Sequence, residues 1–499
     1  MLIGTLLSAG GAFRAEFSGA PDEPAYFVTS LMMRDYIGLW PHPAPIDWAI
    51  QYYIHYPKIA LGHWPPGHFL LQSLWWMLFT PSRASAMWFN GATALAAAAL
   101  FYSWARRIVP AWWLPASCAL LLLAPLTQQA MAQTMADLTT LLAGIAVLWT
   151  LTRLVEDASL RRMLALLASL AAAVLIKPSA ITLVPGCLLA MTVAGVWRRL
   201  RLPPLLVATA VALGFLTVAA GLWQAGPIAV FLRRWAGMNL SNPWHIDQLV
   251  LVAGPGVLAV ALGGAALAFT RRQPAVLAAA SCLAGLAAMS YVIRAIREPR
   301  HWIVTLPMLL LLAAAALVWL PPRWRWAAAV GALALFPFQL YRQTPLGFAA
   351  LASQLPLPAR MLVSSPNGWS EGCWIATVAA AEHRPASKIL RATKTLASTD
   401  WNSMSYQMLA TTAEAVEQIL DTNRIGAVVL HNANDANPLP HHRLLAGTLA
   451  ASSIWKLCAQ AGETAAYCRV KPPQQPPVPI RIDLRQDFGR IIEEEDPPR

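Results

Sequence analysis

Ten mostly apolar runs, each near the length that crosses the hydrocarbon of a bilayer, constrain this chain more than any other feature. They occupy residues 86–104, 112–130, 138–154, 163–176, 180–197, 205–223, 249–269, 275–293, 302–320 and 326–340, each bounded by charge or proline. A helical span takes about 20 such residues, so the pattern predicts a polytopic membrane protein. Composition agrees: of 499 residues, 57% are hydrophobic and only 12% charged, with a mean hydropathy of +0.49. A soluble chain carries about twice that charge. Soluble multidomain, disordered, collagen-like, coiled-coil and small disulfide-scaffold classes are thereby excluded.

The net charge of +13 points to membrane loops rather than nucleic acid, because the basic residues sit in short clusters between the apolar runs. Residues 1–13 are apolar but reach only about 20 Å at helical rise. They are expected to be the remainder of a longer first helix, which brings the expected span count to about 11. A long stretch follows, 14–83, whose apolar segment 66–80 is read as not crossing the membrane. On that reading Arg106, Arg107, Arg153, Arg161, Arg162, Arg198, Arg199, Arg201, Arg271, Arg272, Arg323 and Arg325 share one side. By the positive-inside rule that side is cytoplasmic.

The opposite side then receives the first loop, Asp137, Lys177, the loops 224–247 and 294–301, and everything after Tyr341. Lys177, Arg233, Arg234, Arg294, Arg297 and Arg300 run against the charge rule there. An anionic ligand on the outer side accounts for them.

From about Thr344 the composition changes. Strands are expected at 361–365 and 426–431, helices at 372–382 and 413–423, and a hairpin through Gly462 joins 454–458 to 466–470. The expected organisation is a membrane domain, 1–343, a small extracytoplasmic α/β domain, 344–471, and a proline-rich, acid-ended disordered tail, 472–499. Cys118, Cys187 and Cys282 lie inside apolar runs as small core residues. Cys458 and Cys468 are expected to form a disulfide across the hairpin in an oxidising compartment, leaving Cys373 as the free thiol.

Three places hold residues suited to chemistry. Asp22 and Glu23, in PDEPAYF, stand at a helix start, where acidic side chains serve either as caps or as an outer-face general base. Asp137 opens the run at 138 and has the same two readings. Lys177, Arg297, Arg300 and His301 stand at the mouths of runs, where a cation snorkels to headgroups or binds phosphate. The segment HYPKIALGHWPPGHFLL contributes His55, Tyr56, Lys58, His63, Trp64 and His68; its proline pair marks a rigid turn before an interfacial helix, and its histidine spacing matches no strong metal signature.

The Asp-Glu pair in a first outer loop resembles the GT-C membrane glycosyltransferases. So do the Pro-Pro helix behind it, the Asp at a later span mouth, the Lys after an apolar run and the Arg-aromatic before a span. The closest pattern is the branch of the protein O-mannosyltransferases and the lipid A aminoarabinose transferase, over residues 1–340. His63 and Trp64 stand where that pattern often has Tyr or Lys, and His301 where it has Tyr.

The resemblance implies inverting transfer of a sugar from a polyprenyl-phosphate carrier to a hydroxyl on a glycan, lipid or protein, at the outer face of the inner membrane. Asp22, with Glu23 beside it, and Asp137 become the catalytic acidic residues, and a divalent cation between the three is the one cofactor they could hold. Lys58, Lys177, Arg297 and Arg300 become donor-phosphate ligands, and Tyr26, Tyr56, His63, Trp64 and His301 line the pocket. The competing class is a transporter or flippase of lipid-linked or anionic substrates. It fits less well, because the charges gather at one face and leave the spans nearly free of ionisable groups.

Overall fold

The computed structural model describes residues 2–60, 64–200, 246–292, 298–382, 384–399, 405–470, 479–484 and 490–493. The run at 205–223, the loop cations Arg233, Arg234, Arg294 and Arg297, and His63 lie outside the described residues.

Among the described residues the membrane part is helical. Its elements are α1 (Leu2–Ala9), α2 (Glu23–Ile37), α3 (Pro45–His55), α4 (Gly67–Leu78), α5 (Arg83–Ala105), α6 (Leu114–Leu123), α7 (Pro125–Ala132) and α8 (Asp137–Glu156). After these come α9 (Leu160–Ile176), α10 (Leu183–Val193), α11 (Val196–Leu200), α12 (Ile246–Arg271), α13 (Pro274–Val292), α14 (Thr305–Trp319) and α15 (Pro322–Ala334). The expected 14–83 loop is thus built of three helices, and proline opens or interrupts most of the remainder.

The ten expected runs take different forms in the structure. Among the described residues, three helices are long and apolar enough to cross a membrane: Arg83–Ala105, Asp137–Glu156 and Asp247–Arg271. The run expected at 112–130 is two helices, α6 and α7, bent by 53°. Pro125 is the cause, because it removes a helical hydrogen bond and clashes with the preceding turn. Shorter apolar helices, Pro178–Val193, Pro274–Ser290 and Thr305–Trp319, account for three more of the expected runs. Within α12, Gly254 takes φ 76° ahead of Pro255, and a Cβ there would lie 2.6 Å from the Leu335 carbonyl. Only glycine suits that break.

Small residues bring the helices together. A Cβ on Gly186 of α10 would lie 2.3 Å from the Cys282 Cα, and one on Gly285 of α13 would lie 2.3 Å from the Gly186 nitrogen. In lipid, where apolar side chains gain nothing by leaving their solvent, such close backbone approach is a main source of helix association.

Beyond α16 (Phe348–Gln354) the chain forms a layered α/β unit. Its sheet strands are β1 (Arg360–Ser364), β2 (Lys388–Arg391), β5 (Ala427–His431), β6 (Trp455–Ala461) and β7 (Thr464–Arg469), in the order β2-β1-β5-β7-β6. The first three are parallel, and β7 and β6 run antiparallel. The helices α17 (Ser370–Glu382), α18 (Ala392–Thr395), α19 (Ala413–Thr422) and α20 (Pro440–Ala451) connect them, and β3 (Ala397–Ser398) pairs with β4 (Gln407–Met408). Strand β2 and helix α20 have no expected counterpart. Four residues of β2 are too few for an alternation to register, and PHHRLLAGTLAA carries no strong helical stripe. Cys458 and Cys468 are bonded, with Cα atoms 5.7 Å apart. In the stretch expected to be a disordered tail, β8 (Arg481–Leu484) pairs with β9 (Arg490–Glu493).

One buried carboxylate ties this unit to the membrane helices. Glu16 accepts from the backbone nitrogens of Leu346 (2.7 Å), Phe348 (3.0 Å) and Ala349 (2.6 Å), at the start of α16. An anion at a helix N-terminus satisfies amides that have no intrahelical partner.

Candidate active site

The helix α2 begins with the Asp-Glu pair, and the two carboxylates take different partners. Asp22 occupies the N-cap position, yet its side chain makes no capping hydrogen bond. Its Oδ2 accepts instead from Nη2 of Arg300 at 2.9 Å, across 278 residues of sequence. Arg300 sits in a short 3-10 turn, Pro299–Trp302, and pairs also with Glu298. Its Nη1 points at the Met135 sulfur, 3.2 Å away, a weak acceptor that an anionic oxygen would readily replace. Burial opposes the Arg300 charge, and Asp137, Asp22 and Glu298 together outweigh it and raise the Arg300 pKa.

Glu23 is fully buried. Its Oε1 meets Nη1 of Arg83 at 2.5 Å and accepts from the Thr134 nitrogen at 3.0 Å, and its Oε2 accepts from the Gly19 nitrogen at 3.0 Å. Arg83 spends its other donors on the carbonyls of Ala12 and Ala132 and on Gln343. Both oxygens of the Glu23 carboxylate are thus hydrogen-bonded.

Asp137 opens α8, and its Oδ1 accepts from Nζ of Lys177 at 2.5 Å, where α9 ends and proline forces a new turn. The pair is buried. His301 beside it has its pKa pushed down to about 3 by burial and by Lys177 and Arg300, with Asp137 opposing. It is therefore neutral, and its Nδ1 is buried without a hydrogen-bond partner. Tyr26, one turn into α2, stacks on Trp64 with ring centroids 4.4 Å apart and meets the edge of His68 at 5.4 Å. Burial first, then Asp137 and Asp22, raises the Tyr26 pKa well above its ordinary value.

The structure therefore brings together Asp22, Asp137, Lys177, Arg300, His301, Tyr26 and Trp64. Two other expected residues lie differently. Tyr56 donates to Glu382 of α17 at 2.5 Å, so it braces the α/β unit. Lys58 is buried, between Asp22 and that same helix. Sequence reading assigned no role to His68, whose Nδ1 meets Thr139 Oγ1 at 3.1 Å, or to Arg83 and Met135. The proline pair two residues before His68 was its one signal.

The three carboxylates do not fit a divalent cation. Each is already matched to its own cation, Arg300, Arg83 or Lys177. Among the described residues no group of three or more His, Cys, Asp and Glu could hold a metal ion.

The family model for dolichyl-phosphate-mannose-protein mannosyltransferase matches residues 63–223. ArnT from Cupriavidus metallidurans bound to undecaprenyl phosphate superposes with a TM-score of 0.60, over 95% of this chain and 98% of that one, at 16% identity. The chain has the GT-C fold. The apo form of the same ArnT gives a TM-score of 0.57 at 16% identity, over 94% of this chain and 97% of that one. The oligosaccharyltransferase of Archaeoglobus fulgidus, tethered with an acceptor peptide containing the NVT sequon, gives 0.50 at 13% identity, over 86% and 68%. No curated protein matches the chain in sequence.

Proposed function

We propose that this GT-C protein is an inverting membrane glycosyltransferase, moving a sugar from a polyprenyl-phosphate carrier to an acceptor hydroxyl on the extracytoplasmic face. The observation that carries the reading is the pairing of each candidate acidic residue with a candidate phosphate-binding cation, Asp22 with Arg300 and Asp137 with Lys177. Arg300, held by Asp22, Glu298 and a thioether, can exchange Asp22 and the thioether for a phosphate, which it binds through two parallel hydrogen bonds. The exchange frees Asp22.

Chemistry follows in one displacement. Asp22 takes the proton of the attacking hydroxyl as the new glycosidic bond forms. The bond from the anomeric carbon to the carrier phosphate breaks, its electron pair leaves with the phosphate oxygen, and Arg300 and Lys177 stabilise that charge. Asp137 keeps Lys177 aimed, and the Tyr26 and Trp64 faces offer the apolar surface on which a sugar ring stacks. Paired in this way, Asp22 becomes a competent base only once the donor is bound, so donor binding precedes acceptor deprotonation.

The test is transfer in detergent from a panel of polyprenyl-phosphate sugars, with Asp22→Asn beside wild type. Failure of wild type on every donor, with the protein folded, removes the reading. The proposed sidedness is tested separately by a phosphatase fusion at Gln343, which should be active; a silent fusion there would move the site to the cytoplasm.

A further inference from the structure

The turn that opens α4 reaches both helices that carry the second ion pair. Asp137 starts α8 and Lys177 caps the end of α9, 40 residues away, so their contact depends on how the two helix ends are held. The Lys177 backbone is set by sequence: Pro178 confines the residue before it to extended geometry, and Lys177 has φ −151° and ψ 126°. The α9 end that carries it rests on Gly67, the first residue of α4. A Cβ built there would lie 2.6 Å from the Leu175 carbonyl oxygen and 3.1 Å from the Ile176 nitrogen, backbone that cannot swing aside. The next residue, His68, is fully buried and reaches the other helix, its Nδ1 3.1 Å from Thr139 Oγ1 in the first turn of α8. Thr139 donates its own hydroxyl proton to the Ala136 carbonyl at 2.8 Å, so Nδ1 is the donor of the pair. Burial, opposed by Asp137 and Gln72 and reinforced by Lys177, lowers the His68 pKa to about 4. The ring is therefore neutral, and its one proton lies on Nδ1.

We propose that His68 is a positioning residue for sugar transfer: from the start of α4, with Gly67 seated against α9, it holds the mouth of α8 so that Asp137 keeps Lys177 aimed at the leaving phosphate. This rests on the leaving-group role given to Lys177 above. His68 needs no contact with substrate. Its ring also meets Tyr26 edge-on, with centroids 5.4 Å apart, so it has two routes to the site, and they leave different kinetic marks. Tyr26 offers the bound donor a stacking surface, and binding shared by ground and transition states is felt in donor KM. Lys177 meets charge that grows only as the anomeric bond breaks, and an interaction made in the transition state alone is felt in kcat. The effect of His68 therefore falls in kcat.

The experiment is steady-state turnover of the full chain in detergent, reading release of undecaprenyl phosphate from the undecaprenyl-phosphate sugar that wild type uses best. His68→Leu should lower kcat by about three-fold to ten-fold, the worth of one neutral hydrogen bond, with donor KM within about two-fold of wild type. His68→Asn brings an amide N–H to the place of Nδ1 and should recover most of the loss. Thr139→Val removes the acceptor from the other side and should match His68→Leu; should His68→Leu fail to fold, Thr139→Val and His68→Asn carry the test. In a Lys177→Met background His68→Leu should cost less than about two-fold more, since the histidine acts through the lysine. A loss confined to donor KM, a full additive loss in the Lys177→Met background, or normal kcat in Thr139→Val would each overturn the positioning role. If Lys177→Met and Asp137→Asn lose turnover while every His68 and Thr139 variant is normal, the positioning role falls and the transfer reading stands. If wild type releases undecaprenyl phosphate from no donor, the transfer reading falls and takes the positioning role with it.

Discussion

Asp22 and Glu23 are neighbours in sequence and have opposite surroundings. Glu23 is sealed, its carboxylate bound to Arg83 and to two backbone amides, and Arg83 in turn is bound to two carbonyls and a glutamine. Asp22 has one cation, whose second nitrogen faces only a thioether, and its side chain keeps 23% of its exposure. A carboxylate that must accept a proton needs a partner it can lose, whereas one that holds a loop needs partners it cannot lose. Adjacent residues of like charge thus divide the work: Glu23 builds the site and Asp22 acts in it.

The sharpest test of that division is Asp22→Asn. The amide keeps the shape and cannot take a proton from the acceptor, so transfer should fall by about 100-fold to 10,000-fold, with abundance and thermal stability near wild type. A variant that turns over normally with a verified donor would erase the distinction. Asp137→Asn comes next. It leaves Lys177 aimed by nothing stronger than an amide, and losing an ionic hydrogen bond of roughly 1.5–3 kcal/mol lowers transfer by about ten-fold to a hundred-fold. A loss as large as that of Asp22→Asn would make Asp137 the better base.

Glu23→Gln should invert the pattern. Breaking a buried pair leaves the Arg83 charge uncompensated, at about 3 kcal/mol of stability, while the folded fraction transfers sugar within a few-fold of wild type. Thermal unfolding and single-turnover rates on the same preparation separate the two effects. A full-strength fold with dead chemistry would place Glu23 in the reaction.

Much of the site was legible because its members stand at element ends, Asp22 at a helix start and Asp137, Lys177 and Arg300 at the mouths of apolar runs. Capping or snorkelling accounts for each alone, and their gathering on one face marks a site. What decided their roles was not legible. Arg83 reaches Glu23 over 60 residues, Tyr56 reaches Glu382 over 326, and Glu16 reaches the start of α16 over more than 330. No local periodicity encodes such pairs. The fold was read in the same uneven way. Hydropathy located the helices within a few residues, but it sums over a window and so passes smoothly across Pro125 and Pro255, where the backbone breaks. Lengths therefore erred both ways among the described residues, α5, α8 and α9 running longer than their apolar stretches and α14 shorter, while positions held.

The smallest effect belongs to Asp35, the other acidic residue of α2, 12 positions beyond Glu23 and so about 18 Å along the axis at 1.5 Å per residue. Its carboxylate accepts from Arg34 Nε at 2.8 Å and from the Tyr52 hydroxyl at 2.9 Å. Burial nevertheless raises its pKa, with Arg34, Tyr52 and Arg384 only partly opposing. For a carboxyl whose folded pKa is raised, the favourable contribution exists at acid pH and is lost as pH rises through the folded value, so at neutral pH the Asp35 charge is a liability to the fold. Removing that charge offsets the weakened bonds to Arg34 and Tyr52. Asp35→Asn should therefore change stability by less than about 1 kcal/mol and leave transfer unchanged, with its largest relative gain in stability once pH has risen through the raised Asp35 pKa. A drop in transfer of ten-fold or more would mean that acidic residues anywhere on α2 serve activity through the integrity of the helix. The contrast between Asp22 and Glu23 would then no longer be one of chemistry against structure.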